Sequence, residues 1–241
     1  YPNAVLYALA PNFRGVENAF NAGIRNISYV ISVSESHNKA NIRRTHEESL
    51  EELQKIMDTY PQMNICVALA TSFGCPFEGI PPIQKVVDFT KRVYDMGIRS
   101  ICLADTIGIA DPRQVRDTIH AVTEVMPDCE FQIHIHDTRG MGQANTLAAI
   151  ECGIKTVQST LGGLGGCPFA PGASGNTATE DLVYMLQRMG YDRHRLRKAA
   201  GCREVSEELH RRHLQRPSAE HQHKDPALLL RAVRIHKSEP Y

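Results

Sequence analysis

Residues 131–137 read FQIHIHD, and their alternation of apolar and polar side chains predicts a β-strand. Successive side chains of a strand point to opposite faces, so His134 and His136 share one face and the apolar residues share the other. The two histidine Cα atoms then lie about 7 Å apart, and both rings can reach one cation at about 2.1 Å. A metal site is one interpretation, and a pair of hydrogen-bonded core histidines is the other.

Short apolar segments alternate with amphipathic segments along most of the chain, at intervals of roughly 30 to 35 residues, the length of a βα unit. Each predicted strand is followed by a predicted helix. The strands are predicted at residues 5–9, 27–31, 64–70, 100–105, 131–136 and 156–160. Helix ends are marked by the capping boxes Thr45/Glu48 and Thr177/Glu180, by Pro82 with a Gly97 C-cap, and by Asp111 followed by Pro112.

Strictly alternating units predict a parallel sheet covered by helices, either a closed (β/α)8 barrel or an open doubly wound sheet. Polar residues near the carboxyl ends of the strands favour the barrel, because they would converge on one mouth, where barrel enzymes have their active sites. These residues are Asp105, His134, His136 and Ser159. We therefore predict an α/β fold, a (β/α)8 TIM barrel of which six of the eight βα units are present in this chain.

The composition narrows the functional class. The 241 residues are 42% hydrophobic, and 27 Lys and Arg balance 27 Asp and Glu, which gives no indication of a nucleic-acid or membrane partner. No apolar run reaches the roughly 18 residues of a membrane span, and no secretory signal is recognisable. The seven cysteines form no CxxC pair, which indicates reduced thiols and a cytoplasmic location.

Two regions are predicted from the change in composition after Gly190. Residues 1–190 form the barrel, and residues 191–241, rich in arginine and histidine, form a C-terminal helix near 204–214 and a mobile tail. His221 and His223 in this tail could bind metal adventitiously.

Two loops carry candidate chemistry. Asp105, at a strand end in LADTIGIADP, is either a hydrogen-bond anchor for its loop or a catalytic group. Residues 161–176, LGGLGGCPFAPGASGN, contain six glycines, two prolines and one cysteine. This segment is a linker, a phosphate cradle, or a lid that carries Cys167 over the barrel mouth, excludes water and supplies a weak acid of ordinary pKa about 8.5. Asn176 is an N-cap or a metal ligand.

The stretch GGLGGCPFAPGASGNTATEDLVYML resembles the signature loop of the 3-hydroxy-3-methylglutaryl-CoA lyase family. The resemblance continues upstream through HIHDT, ADTIG, GCPFEG and NKANIRRTHEES, and it covers roughly residues 5–190. The related isopropylmalate and homocitrate synthases share the paired histidines but lack the cysteine loop, so that loop distinguishes the lyases.

The resemblance implies a divalent cation, Mg²⁺ or Mn²⁺, bound by His134, His136, Asn176 and an aspartate from the family's first strand. It also implies catalytic roles for Cys167 and Asp105, with His134 doubling as a proton-transfer group. The family's first-strand Arg-Asp pair and its second-strand glutamate do not occur in this sequence. The resemblance therefore implies a chain that begins at the family's third strand.

Lys39 and Asn41, expected in the loop after the second strand, match a family region near the CoA moiety, although Lys39 could equally be a solvated loop cation. Cys75 matches a family cysteine without a chemical role. The implied activity is cleavage of 3-hydroxy-3-methylglutaryl-CoA to acetyl-CoA and acetoacetate, as in leucine degradation and ketone body metabolism. The alternatives are a lyase or aldolase for another 3-hydroxyacyl-CoA or a 2-oxo acid, and a catalytically inactive fragment. The resemblance also makes a homodimer plausible, in the cytoplasm, or in the mitochondrial matrix if a leader is missing.

Overall fold

Six parallel strands form a curved sheet, half of a barrel, in the computed structural model, which describes residues 5–166, 175–191 and the backbone of 231–234. The parallel strands are β1 Tyr7–Leu9, β2 Asn26–Ser32, β3 Asn64–Ala70, β4 Ser100–Asp105, β5 Glu130–Ile135 and β6 Thr156–Ser159. They neighbour one another in chain order without a reversal, which is the order of a barrel and not of a doubly wound sheet. The barrel prediction is confirmed.

Helices follow the strands along the chain. They are α1 Phe13–Asn21, α2 Glu35–Ile42, α3 His46–Thr59, α4 Ile83–Asp95, α5 Pro112–Val125, α6 Gly142–Glu151 and α7 Thr179–Arg188, with a short 3-10 turn at Leu161–Gly163. Within the described residues, no helix is both long and apolar enough to cross a membrane.

A seventh strand, β7 Arg231–Arg234, pairs antiparallel with β6. It lies within residues 191–241, where the composition predicts a helix and a tail but no strand. The helix predicted near 204–214, like His221 and His223, lies outside the described residues. The division at residue 190 stays a prediction.

The two faces of the sheet differ in chemistry. His134 is the register partner of Ala104 on β4 and of Gln158 on β6, so these three side chains share one face with Ser32 and Ala70. The opposite face is apolar and packs against the helices through Tyr29, Ile31, Leu69, Leu103, Ile133, Ile135 and Val157. Small and polar side chains therefore line the barrel interior.

Most predicted helix ends are confirmed. The capping box of Thr45 and Glu48 opens α3, the Asp111 carboxylate accepts two backbone hydrogen bonds at the start of α5, and Gly97 has a φ of 101° just after α4. The capping box predicted at Thr177 and Glu180 is wrong.

Helix α7 begins at Thr179 without a side-chain cap. The Thr177 hydroxyl donates to the Ile135 carbonyl instead (3.0 Å), and the Glu180 carboxylate accepts from the Gly162 amide (2.9 Å). Both side chains are used to tie the loop after β6 to its surroundings, so neither is available for the cap.

Candidate metal and active site

His134 and His136 lie on one side of the sheet, as their spacing predicts. His134 belongs to β5, and His136 follows directly after its last residue. The centroids of the two rings are 5.0 Å apart, with an angle of 62° between the ring planes. Two imidazoles held this close on one rigid strand can act on the same bound group.

Both imidazoles are neutral at pH 7. Burial, and secondly the neighbouring His136 ring, lower the pKa of His134 to about 3, against the opposing effect of a hydrogen bond to Gln158. Burial also lowers the pKa of His136, against a hydrogen bond to the Thr106 backbone. A neutral imidazole keeps a lone pair on one nitrogen, which is the form that binds cations.

Asn176 is held beside His136 by an isolated antiparallel bridge between the two residues. On either side of it, the Asp137 amide donates to the Gly175 carbonyl (2.8 Å) and the Thr177 amide donates to the Ile135 carbonyl (3.1 Å). The Asn176 side chain donates through Nδ2 to the Leu164 carbonyl at 2.8 Å. Since α7 has its N-cap at Ala178, the N-cap interpretation of Asn176 is wrong.

The three predicted metal ligands share an unusual property. His134 Nδ1, His136 Nδ1 and Asn176 Oδ1 are all buried and have no hydrogen-bond partner. Buried polar atoms in proteins are nearly always paired, so each of these three atoms needs an explanation. Two imidazoles and one amide oxygen form a mixed nitrogen and oxygen set suited to a divalent cation that takes its remaining ligands from substrate or water.

This set could not be found by looking for acidic or thiol ligands. Within the described ranges, no group of three or more His, Cys, Asp or Glu side chains is placed to hold a metal ion. The third predicted ligand is an amide, and only the backbone bridge between Asn176 and His136 brings it to the histidines.

Two glycines allow the backbone near Asn176 to approach His136 in this way. Gly175 has a φ of 101° and Gly165 a φ of 106°, backbone conformations that residues with a Cβ rarely adopt. A Cβ on Gly175 would clash with the carbonyl oxygens of Gly163 and Gly165, and a Cβ on Gly165 would lie 2.6 Å from Asn176 Nδ2. The glycine-rich segment thus positions Asn176.

Replacing Gly175 with alanine should therefore displace Asn176. We expect the variant to lose about 2–4 kcal/mol of unfolding free energy and at least about tenfold in Mn²⁺ affinity, because a positive φ and a backbone clash act together. Gly153→Ala is the matched control, since Gly153 has a φ of 93° and open space around it. Thermal unfolding and Mn²⁺ titration of both variants measure the losses of stability and affinity. Equal Mn²⁺ affinities in the two variants would show that Gly175 does not position Asn176.

Asp105 anchors the loop that follows β4. Its side chain is fully buried, and its two oxygens accept hydrogen bonds from the amides of Ile109 (3.1 Å) and Ala110 (3.0 Å). Asp105 is the register partner of Ile135, so it lies on the helix-facing side of the sheet. The geometry supports the anchor interpretation, and the catalytic role stays a prediction.

The expectation that Asp105 and Ser159 converge with the histidines on one mouth is wrong. Asp105 pairs with Ile135, and Ser159 is one residue beyond Gln158, the partner of His134. Both side chains therefore point to the opposite face of the sheet from His134. The Ser159 hydroxyl is buried there against the Thr179 hydroxyl at 2.8 Å.

Asp105 also makes stability depend on pH. Burial raises the pKa of Asp105 to about 6, while the amides of Ala110, Ile109 and Gly108 lower it. Because this value lies above the ordinary 3.8, the folded state binds the proton of Asp105 more tightly than the unfolded state does. The proton therefore stabilises the fold below pH 4, and this stabilisation is lost as pH rises through 6.

We expect that loss to be about 2 kcal/mol between pH 4 and pH 7 and to be absent in Asp105→Asn. Urea unfolding of both proteins across this range measures it, and all other titrating groups cancel in the comparison. Parallel pH profiles for the two proteins would contradict the assignment.

Lys39 and Asn41 lie in helix α2 and not in a loop, so that part of the prediction is wrong. The helix forms because Ser34 caps it through the His37 amide (3.1 Å). Both side chains are exposed, and the Lys39 ammonium lies 3.5 Å from the Glu35 carboxylate. Their proximity to CoA stays a prediction.

Sequence reasoning missed the residue that fixes α2. Asn38 is fully buried, accepts from the Ser32 amide (3.0 Å) and donates to the Ser49 hydroxyl (2.9 Å) and the Arg44 carbonyl (2.9 Å). It thus ties β2, α2 and α3 together. An asparagine within a polar helix carries no sequence signal for such a role.

Cys75 has a structural role in the hairpin formed by residues 74–79. Its sulfur accepts from the amides of Phe77 and Glu78, both at 3.4 Å, and its thiol donates to the Ser34 hydroxyl at 3.0 Å. The hairpin thereby contacts the start of α2. Cys167, the predicted lid thiol, lies outside the described residues.

The HMGL-like family matches residues 2–206. The chain belongs to the HMGL-like family. It is 43% identical over 184 residues, 76% of its length, to hydroxymethylglutaryl-CoA lyase YngG of Bacillus subtilis. It is 41% identical over 192 residues, or 79%, to the cytoplasmic 3-hydroxy-3-methylglutaryl-CoA lyase of Rattus norvegicus. The chain spans 62% and 56% of the lengths of these two relatives.

Solved structures agree with this membership of the HMGL-like family. The HMG-CoA lyase of Bacillus subtilis matches with a TM-score of 0.80 and 36% identity, covering 90% of this chain and 73% of that one. An HMG-CoA lyase from Acinetobacter baumannii in complex with coenzyme A and 3-methylmalate matches with a TM-score of 0.74 and 40% identity, covering 79% and 63%. The resemblance inferred from the signature loop is confirmed.

Proposed function

We propose that this chain carries the main part of a 3-hydroxy-3-methylglutaryl-CoA lyase, which cleaves its substrate to acetyl-CoA and acetoacetate. The observation that carries the proposal is the set of three buried acceptor atoms on His134, His136 and Asn176. Relatives that match most of the chain bear the name of this enzyme, and one of them was solved with coenzyme A.

The proposed cation is Mg²⁺ or Mn²⁺, and His134, His136 and Asn176 would hold it. When bound, a divalent cation makes the tertiary hydroxyl of the substrate more acidic near neutral pH. The described residues supply neutral donors for this purpose, since both imidazoles are uncharged and the Asn176 amide is fixed by Leu164.

The reaction breaks the C2–C3 bond of the substrate and needs two proton transfers. The hydroxyl on C3 loses its proton and becomes the ketone of acetoacetate, while C2 gains a proton and becomes the methyl group of acetyl-CoA. We assign the first transfer to His134, as the proposed proton-transfer group, which can take the hydroxyl proton only while its lone pair is not bound to the cation. We assign the second to the thiol of Cys167, delivered as the glycine-rich segment closes.

Recognition of the acyl-CoA is proposed for the exposed side of α2, where Lys39 and Asn41 lie. Asp105 is proposed to support catalysis by fixing residues 108–110 next to the Thr106 backbone that contacts His136. A homodimer is proposed on the family resemblance alone.

A substrate panel with Mn²⁺ present tests the proposed function. We expect acetyl-CoA and acetoacetate to form in equal amounts from 3-hydroxy-3-methylglutaryl-CoA, and no cleavage of an unbranched 3-hydroxyacyl-CoA or a 4-hydroxy-2-oxo acid. Preferred cleavage of either alternative substrate would reassign the activity within the superfamily. Absence of both Mn²⁺ and CoA binding would instead identify an inactive fragment.

A further inference from the structure

A chain of polar side chains, two amides and a hydroxyl, starts at His134 and runs across the interior face of the sheet. Gln158 on β6 is the register partner of His134 on β5, and the two side chains share a hydrogen bond. Gln158 donates through Nε2 to Gln132 Oε1 at 3.2 Å, and Gln132 donates through Nε2 to the Ser100 hydroxyl at 3.1 Å. We call Gln158, Gln132 and Ser100 the amide relay.

The amide relay has one orientation. Gln132 is 5% exposed and is held at both ends, with its oxygen toward Gln158 and its nitrogen toward Ser100. Ser100 in turn shares a hydrogen bond with the buried Cys66 thiol. With the Gln158 nitrogen directed at Gln132, we assign the Gln158 carbonyl oxygen as the acceptor for the N–H of the His134 ring.

A neutral imidazole has one N–H and one nitrogen with a lone pair. Of the two ring nitrogens of His134, Nδ1 is buried without a partner, which leaves Nε2 for the hydrogen bond to Gln158. The nitrogen that donates to Gln158 therefore keeps the proton, and the other nitrogen presents its lone pair. In metal sites, partners of this kind fix the tautomer and the ring orientation of a ligating histidine.

We propose that Gln158, oriented by Gln132 and Ser100, is a positioning residue that fixes the His134 imidazole in one tautomer for cation binding. The inference rests on the proposed function for the identity of the cation. It assigns a role to a polar layer beneath the site that neither the motifs nor the family membership explains.

Mn²⁺ titration of three variants of the full chain tests the proposal. Gln158→Leu keeps the size of the side chain but cannot accept, and we expect its Mn²⁺ dissociation constant to rise about 10- to 100-fold. Gln158→Glu keeps an acceptor for the His134 ring but loses the donor to Gln132, and we expect its affinity to fall less than about tenfold and to stay above that of Gln158→Leu. Gln114→Leu is the matched control, because the half-buried Gln114 donates to the Phe73 carbonyl at 2.8 Å, away from the relay.

A second measurement needs no folded variant at position 158. ¹⁵N NMR of the metal-free, histidine-labelled wild-type protein reports the tautomer of His134, and we expect a single tautomer. A mixture of the two tautomers overturns the proposal, as does a Gln158→Leu affinity within about twofold of the control. If the wild type binds no Mn²⁺, the cation site of the proposed function fails, while the tautomer still decides the role of Gln158.

Discussion

His136→Ala should abolish measurable Mn²⁺ binding at millimolar concentrations and lower turnover of 3-hydroxy-3-methylglutaryl-CoA by at least about 1,000-fold. The ring of His136 is 8% exposed, lies 5.0 Å from the ring of His134 and provides one of the three unpaired acceptor atoms. Removing one of three protein ligands leaves two, and the cation then depends mainly on water and substrate. Isothermal titration with Mn²⁺ and an acetoacetate assay measure the two effects.

His120→Ala is the control for this variant. His120 lies on α5 and is exposed, and its ring Nε2 lies 3.5 Å from the sulfur of the half-buried Cys152. We expect it to bind Mn²⁺ as the wild type does. Wild-type Mn²⁺ affinity in His136→Ala would remove the basis for placing a cation between β5 and Asn176.

Cys167→Ala should separate chemistry from cation binding. If the Cys167 thiol delivers the proton to C2, we expect turnover to fall about 100- to 10,000-fold, the usual contribution of a positioned general acid, with Mn²⁺ affinity unchanged. Acetoacetate release and Mn²⁺ titration on the same preparation measure both quantities.

The control for this second variant is Cys152→Ala, a half-buried thiol on the helix side of the sheet, which should retain activity. Loss of Mn²⁺ affinity in Cys167→Ala equal to its loss of turnover would show that the thiol supports the site and does not act as the acid.

Periodicity predicted the parts of the fold that depend on local patterns. The alternation in FQIHIHD places His134 and His136 on one face, and the Thr45 capping box opens α3 as predicted. The wrong predictions concern residues whose partners are distant in sequence. Thr177 donates to Ile135, and its cap is lost for that reason.

The directions of side chains at the strand ends were also predicted wrongly, because they depend on residues distant in sequence. Asp105 and Ser159 were grouped with the histidines because all stand near a strand's carboxyl end, yet pairing register places them on the other face. Register depends on neighbouring strands and is not encoded in any one segment. The amide relay and the pairing of β7 were missed for the same reason.

Pulsed EPR of the Mn²⁺-loaded wild-type chain tests the central claim most directly. The account predicts one bound Mn²⁺ per chain with ¹⁴N couplings from two imidazoles, reduced to one in His134→Asn and in His136→Asn. A spectrum of bound Mn²⁺ without nitrogen coupling, or no bound Mn²⁺ at millimolar concentration, would contradict it.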